Sequence, residues 1–192
     1  MRNEVAVEVS ARHVHLSQEQ VEILFGEGHV LTPDKMLSQP GQFLSKERVT
    51  IVGPKKKMER VGVLGPARKH GQVELSLTDC FAIGVKTAQV RESGNIDGTP
   101  GIVLESETAS VTLEEGVIVA KRHIHMTPKD ALDFGVVDQQ VVSVEVKNNS
   151  RSTIYGDVVV RVHETYALAM HIDTDEANAG LVSGDVIGIV IK

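Results

Sequence analysis

The sequence predicts a mainly β protein with few, short helices, organised as two related halves. Short β-branched stretches recur along the chain with Gly, Pro, Asn and Asp between them, as at Gly53-Pro54, Gly65-Pro66, Pro100-Gly101 and Asn148-Asn149. Such close spacing suits barrels or sandwiches better than a parallel α/β sheet. A second observation is a duplicated unit. Arg12-His13-Val14-His15-Leu16-Ser17 and Arg122-His123-Ile124-His125-Met126-Thr127 each follow an apolar run and precede a helix-start signal.

Taken in order, Val5 to Val9 reads as the first strand and delivers the chain to His13 and His15. Ser17-Gln18-Glu19-Gln20 is a capping-box pattern that opens a helix through Val21, Leu24 and Phe25. Strand patterns follow at Val49 to Val52, Val61 to Leu64, Val73 to Leu77 and Ile102 to Leu104. Val117 to Ala120 leads to His123 and His125, after which Thr127 supplies a hydroxyl cap and Pro128 a first helical residue before Ala131, Leu132 and Phe134. Strands are expected at Val141 to Val146, Val158 to Val162 and Val186 to Ile191. Between the last two, Leu168 to Ile172 is strand-like and Asp173 to Asn178 has helix-capping character, so His171 stands where the pairs stand elsewhere.

Bulk properties narrow the function. The 192 residues carry 41% apolar and 24% charged residues, ordinary values for a globular chain that buries a sizeable core. Aromatic content of 3% without Trp argues against base stacking, and a net charge of -6 against general nucleic-acid binding. The one cysteine, Cys80, rules out an internal disulfide framework and a thiolate-rich metal site, and its apolar surroundings suggest a buried thiol. No apolar run reaches membrane-spanning length, and a polar start that enters a strand at once leaves no room for a secretory signal. A cytoplasmic protein is expected. Between Lys46 and Lys69, eight lysines and arginines stand against Glu47 and Glu59, a local attraction for an anionic ligand or a solvated loop.

Four of the eight histidines lie in the duplicated unit. Alternate residues of a strand share a face, so each pair presents two imidazoles side by side. Neutral imidazole suits zinc, copper, nickel or iron, and a catalytic zinc takes three protein ligands with one position open. His171 is a natural third ligand for one pair. For the other, Glu74 stands between apolar Val73 and Leu75; it either faces inward, where a carboxylate needs a partner or a metal, or faces water on a polar strand side. Arg68 follows the Gly65-Pro66-Ala67 turn, and a guanidinium fork there suits phosphate. His29, His70 and His163 have no supporting pattern and read as structural or surface residues; Asp173 and Asp175 read as capping residues.

The segments Val9 to Ser17, Gln39-Pro40-Gly41-Gln42, Val52 to Lys55, Leu64 to Arg68, Gln72-Val73-Glu74, Ser93-Gly94-Asn95, Gly98 to Gly101, Gly116 to Met126 and Met170 to Ala179 together resemble the propanediol-utilisation-type phosphate acyltransferases. They occur in the family's order and cover nearly the whole chain. The resemblance implies two β-barrel domains capped by short α-helices, one from residues 1–11 with 120–192 and the other from 12–119 with a small excursion near 26–46. It implies a dinuclear centre of two zinc ions per chain, with His13, His15 and Glu74 holding one and meeting the coenzyme A sulfur. His123, His125 and His171 would hold the other, with water or phosphate completing its shell. Arg68 matches a catalytic phosphate-binding arginine, and Val9, Ser10, Lys55 and Asn178 fall at coenzyme A contacts. Gly62 and Leu77 stand where basic residues are expected beside coenzyme A. The family's N-terminal microcompartment-targeting extension is not visible here.

The implied activity is reversible transfer of a short acyl group between acyl-coenzyme A and inorganic phosphate, by a homodimer or larger assembly without nucleic-acid or membrane partners. A zinc-dependent thioester or phosphoester hydrolase would use the same histidines without needing phosphate. A non-catalytic metal-binding barrel would show no coenzyme A-dependent reaction.

Overall fold

The computed structural model describes residues 2–148 and 150–192, which divide into two compact units. The first unit holds residues 2–11, Ser38–Pro40 and Lys121–Lys192; the second holds Arg12–Leu37 and Gly41–Ala120. The chain passes from one unit to the other immediately before each histidine pair.

In the first unit, β1 (Glu4–Val9), β11 (His123–Met126), β12 (Val141–Val146), β13 (Thr153–Val162), β14 (Ala169–Ile172) and β15 (Val186–Ile191) close a barrel in the order β1-β14-β11-β13-β12-β15. Helices α3 (Pro128–Phe134) and α4 (Thr174–Gly180) follow β11 and β14. Closure leaves no strand edge unpaired. Alternate residues turn inward, so Val5, Val7, Ile124, Met126, Val144, Val160 and Met170 form the core with Phe134 from α3.

The second unit is a nine-stranded sheet made of β2 (His13–His15), β3 (Pro33–Met36), β4 (Phe43–Val52), β5 (Lys57–Gly65), β6 (Gln72–Glu74), β7 (Gln89–Arg91), β8 (Ile102–Glu105), β9 (Ser110–Leu113) and β10 (Val117–Ala120). Its order is β7-β10-β6-β2-β5-β4-β8-β9, with β3 on β4, so it has ends where the first unit has a ring. Val14, Leu16, Leu24, Ile51, Val63, Val73, Leu104 and Val117 fill its core beneath α1 (Gln18–Phe25) and α2 (Leu77–Ile83). The mainly β class with short helices is therefore as the sequence predicts.

One local expectation is corrected. The alternation Val73, Leu75, Leu77 predicts a strand to Leu77, but β6 ends at Glu74. Ser76 accepts from the Asp79 amide and starts α2, which Gly84 ends in the left-handed region at φ 88°, where a side chain would be strained. Strands β3, β7 and β9 lack a readable alternation; all four β3 residues are exposed. Among the described residues no helix is long and apolar enough to cross a membrane.

Candidate active site

A block of four strands occurs in both units with the same directions. In the second unit β2 pairs parallel to β5 and antiparallel to β6, which pairs parallel to β10. In the first, β11 pairs parallel to β13 and antiparallel to β14, which pairs parallel to β1. Register then aligns one row in each block: Gly62, His13, Glu74 and Ile118 in one, Val159, His123, His171 and Glu8 in the other. Directly opposed residues share a face, so the first histidine of each pair meets its third partner side by side.

Each of these ligand-bearing strands runs into a helix whose N-cap lies two residues beyond its last candidate ligand. His15 precedes Ser17, Glu74 precedes Ser76, His125 precedes Thr127 and His171 precedes Asp173. The caps accept from backbone amides at 3.2, 3.1, 3.1 and 2.8 Å in that order. Capping stops each strand where its polar side chains emerge.

The three histidines of the first unit converge. Ring centroids lie 4.6 Å apart for His123 and His125, 5.3 Å for His123 and His171, and 5.0 Å for His125 and His171. His123 Nδ1 lies 2.8 Å from the Lys121 carbonyl, which fixes the proton on that nitrogen and leaves Nε2 as a donor to a cation. His125 is buried and stacks on Tyr166 with centroids 4.1 Å apart. Burial, then the charges of His123, His171 and Arg161, hold its pKa down to about 2, so it is neutral at pH 7.

In the second unit His13 Nε2 lies 3.4 Å and His15 Nε2 3.8 Å from the two Glu74 oxygens. All three residues are buried. The inward reading of Glu74 is the one the structure adopts. Burial opposes its charge, but His13, His15 and a Ser93 hydrogen bond outweigh that and hold its carboxyl well below the usual range. Burial, then His13 and Arg68, keep His15 below its ordinary value. Gln72 Nε2 donates to Glu74 Oε1 at 2.6 Å and to Ser93 Oγ at 2.9 Å; Ser93 donates to the same carboxylate at 2.8 Å. The Gly94 amide donates to Gln72 Oε1 at 2.7 Å and fixes that side chain's orientation.

Both donor sets fit a metal. Their ligand atoms lie within 4.8 Å of one another in each set. His125 Nδ1 is buried with no hydrogen-bond partner among the described residues, an arrangement that costs free energy unless a further group is bound nearby. Depressed histidine pKa values leave neutral rings, the form that coordinates. The same shifts set an acid sensitivity. An unfolded chain takes up these protons near pH 6.5, the folded one only well below it, so between those limits the unfolded state binds more protons. Metal-free protein should therefore lose stability as pH falls below about 6.5, with Glu74 adding to the loss below its unfolded value of 4.5. Thermal melts of chelator-treated protein from pH 7.5 to 5 check this; a midpoint that holds or rises contradicts it.

The arginines of the duplicated unit tie strands together. Arg12 NH1 donates to Asp79 Oδ1 at 2.8 Å, and Arg122 NH1 to Glu176 Oε1 at 2.9 Å. Asp79 and Glu176 are the third residues of α2 and α4, the helices that follow Glu74 and His171. Each arginine thus links the histidine-pair strand to the strand bearing the third ligand. A double-mutant cycle with Arg12→Ala and Asp79→Ala, read by urea unfolding, should give about 1 kcal/mol of coupling. Coupling near zero would remove the clamp.

Arg68 lies between β5 and β6. Its amide donates to the Leu16 carbonyl at 2.8 Å, and NH1 donates to Ser93 Oγ at 3.1 Å, beside the Glu74 cluster. Val9 ends β1 partly exposed, and the Ser10 amide donates to the Ile172 carbonyl at 2.8 Å. Asn178 lies exposed on α4, which follows β14. In the other unit Lys55 lies exposed in the β4–β5 turn, its stem against Gly84, where a Cβ would stand 2.6 Å from Lys55 Cγ. Part of the basic segment serves the fold: Lys57 pairs with Glu105 at 2.6 Å, and Arg48 with the Ser45 and Glu47 carbonyls. Gly62 neighbours His13 in register, and a Cβ there would stand 2.7 Å from Leu44 Cδ1. Leu77 opens α2, half exposed. His29 pairs with Glu47 at 2.9 Å, and Cys80 is buried. Gln72 and Ser93 hold the Glu74 carboxylate, a role not assigned to either from the sequence: Gln72 lies two residues from Glu74 along the chain, whereas Ser93 reaches it from 19 residues away.

A family model described as phosphate propanoyltransferase matches residues 6–183. A Thermotoga maritima protein named phosphate propanoyltransferase is 55% identical over 187 residues, which cover 97% of this chain and 89% of that one. One of the same name from Leptotrichia buccalis is 56% identical over 179 residues, 93% of this chain and 84% of that one. Another, from Enterococcus faecalis, is 53% identical over 192 residues, 100% of this chain and 90% of its own. With a family model spanning most of its length and relatives this similar over nearly all of theirs, the chain belongs to the phosphate propanoyltransferase family of acyltransferase enzymes.

Proposed function

We propose that this chain catalyses reversible transfer of a propanoyl or other short acyl group between coenzyme A and inorganic phosphate, using two zinc ions. His13, His15 and Glu74 would hold one zinc, and His123, His125 and His171 the other. The observation that carries the reading is the pair of three-donor clusters, built on one repeated strand block with a guanidinium beside one of them. Zinc bound at such sites supplies Lewis-acid stabilisation of a thiolate and of charge developing on a carbonyl oxygen.

The chain's own groups account for the rest. Arg68 binds and orients phosphate through its guanidinium, which Ser93 steadies. A phosphate oxygen attacks the thioester carbonyl, the new C–O bond forms, and the C–S bond breaks with its electron pair on sulfur. The products are acyl phosphate and coenzyme A thiolate. His15 and His125, kept neutral, take no proton in this step. Cys80 is packed in the core and offers no covalent acceptor, which favours direct displacement. Val9, Ser10 and Asn178 would contact coenzyme A, and Lys55 offers a cation to its phosphates. The resemblance further supports a homodimer or larger assembly in the cytoplasm.

The test is thiol release from propanoyl-coenzyme A with and without phosphate, with acyl phosphate trapped as the hydroxamate. Release should require phosphate and match acyl phosphate formed. Equal release without phosphate would make the protein a hydrolase, and a stable acylated enzyme formed from acyl-coenzyme A alone would exclude direct displacement.

A further inference from the structure

The two clusters differ in charge. One contains its carboxylate, Glu74; the other is three imidazoles. The aligned rows show where a carboxylate for the second set lies. Beyond Glu74 the next residue in its row is apolar Ile118, whereas beyond His171 the next is Glu8, one strand over on the same face. Glu8 Oε2 lies 3.6 Å from His171 Nδ1. Ser38 donates to that same oxygen at 2.5 Å, which limits the carboxylate's freedom.

The other ring nitrogen faces a donor. Gln39 is buried, and its amide is fixed at both ends by Ala167: Nε2 donates to the Ala167 carbonyl at 3.0 Å, and the Ala167 amide donates to Oε1 at 3.2 Å. That double contact assigns the amide's nitrogen and oxygen. Gln39 Nε2 then lies 3.4 Å from His171 Nε2. An acceptor faces Nδ1 and a donor faces Nε2, so the proton belongs on Nδ1. In metal-free protein the Nε2 lone pair accepts from Gln39, and zinc bound beside His123 and His125 would replace that hydrogen bond with coordination.

We propose that Glu8, held by Ser38, and Gln39 are positioning residues that fix His171 as its Nδ1–H tautomer and make the three-histidine centre's hold on zinc depend on the Glu8 charge. A carboxylate behind a ligating imidazole orients the ring and raises its basicity. The inference rests on the reading that this cluster binds zinc. It gives that centre a negative charge outside its ligand set, where the other has one within.

Two measurements test it. Two-bond ¹H–¹⁵N correlation spectra of metal-free protein should show His171 protonated on Nδ1; protonation on Nε2 would overturn the assignment whatever zinc does. Chelator competition should then show zinc at one of the two centres weakened about tenfold in Glu8→Ala, within the range typical for lost outer partners. Glu8→Gln, which keeps an acceptor oxygen and drops the charge, should fall between Glu8→Ala and the unsubstituted protein. Unchanged affinity at both centres in Glu8→Ala would overturn the proposal. Unsubstituted protein that binds zinc only at the Glu74 cluster would refute the zinc-dependence and the proposed function together, while the tautomer spectrum still judges the positioning separately.

Discussion

His125→Ala should remove about one of two zinc equivalents and lower kcat about a thousandfold or more. The expected size follows from losing several kcal/mol of metal-derived charge stabilisation, at about 1.4 kcal/mol per factor of ten. His125 is chosen because the fold alone gives it little to do. It is buried, its Nδ1 has no hydrogen-bond partner among the described residues, and burial disfavours its charge. A purely structural histidine in that place would leave a donor or acceptor unsatisfied at a cost of about 1–3 kcal/mol. Metal analysis and steady-state kinetics on the same preparation check the prediction. The substitution carries a second signature: the metal-free variant should lose less stability between pH 7 and 5 than the unsubstituted protein, because one group that titrates differently on unfolding is gone.

Arg68→Ala should raise the KM for phosphate about 10- to 100-fold while zinc content stays near two equivalents. A charge-assisted hydrogen bond to a dianion is worth about 1.5–3 kcal/mol, and a paired fork more than a single contact. Arg68 donates to Ser93, which donates in turn to Glu74, so truncation removes a neighbour of the ligand and not the ligand. Arg68→Lys should recover only part of the loss, because an ammonium cannot present the planar fork. Initial rates across phosphate concentrations separate a binding defect from a loss of kcat. An unchanged phosphate KM would take Arg68 out of phosphate binding.

What could be read from the sequence was local, and what could not be read was pairing. The Ser17, Thr127 and Asp173 junctions each announce themselves within six residues, because a cap, an acid or amide three residues on and an apolar helix face lie close together in the chain. The fourth, at Ser76, has the same form. Val73, Leu75 and Leu77 hide it by continuing a strand's alternation past the point where the cap takes over. Reading Ser76 and Asp79 as a helix start would have placed Glu74 two residues before a cap, as His15 and His125 are, and decided its inward orientation. That His13 opposes Glu74 and His123 opposes His171 depends on strand order, which no short segment contains. Ser38–Pro40, from the middle of the second unit's sequence, grouping with the first unit is likewise a tertiary outcome. The sequence also overstates the basic segment, because Arg48 and Lys57 find partners inside the sheet.

Zinc content and phosphate-dependent coenzyme A release, measured on one preparation before and after chelation, bear most directly on the function proposed for these two clusters. Two zinc equivalents per chain, loss of release on stripping and its return on adding two equivalents are expected. Full turnover in a demonstrably metal-free preparation would contradict the assignment of both clusters.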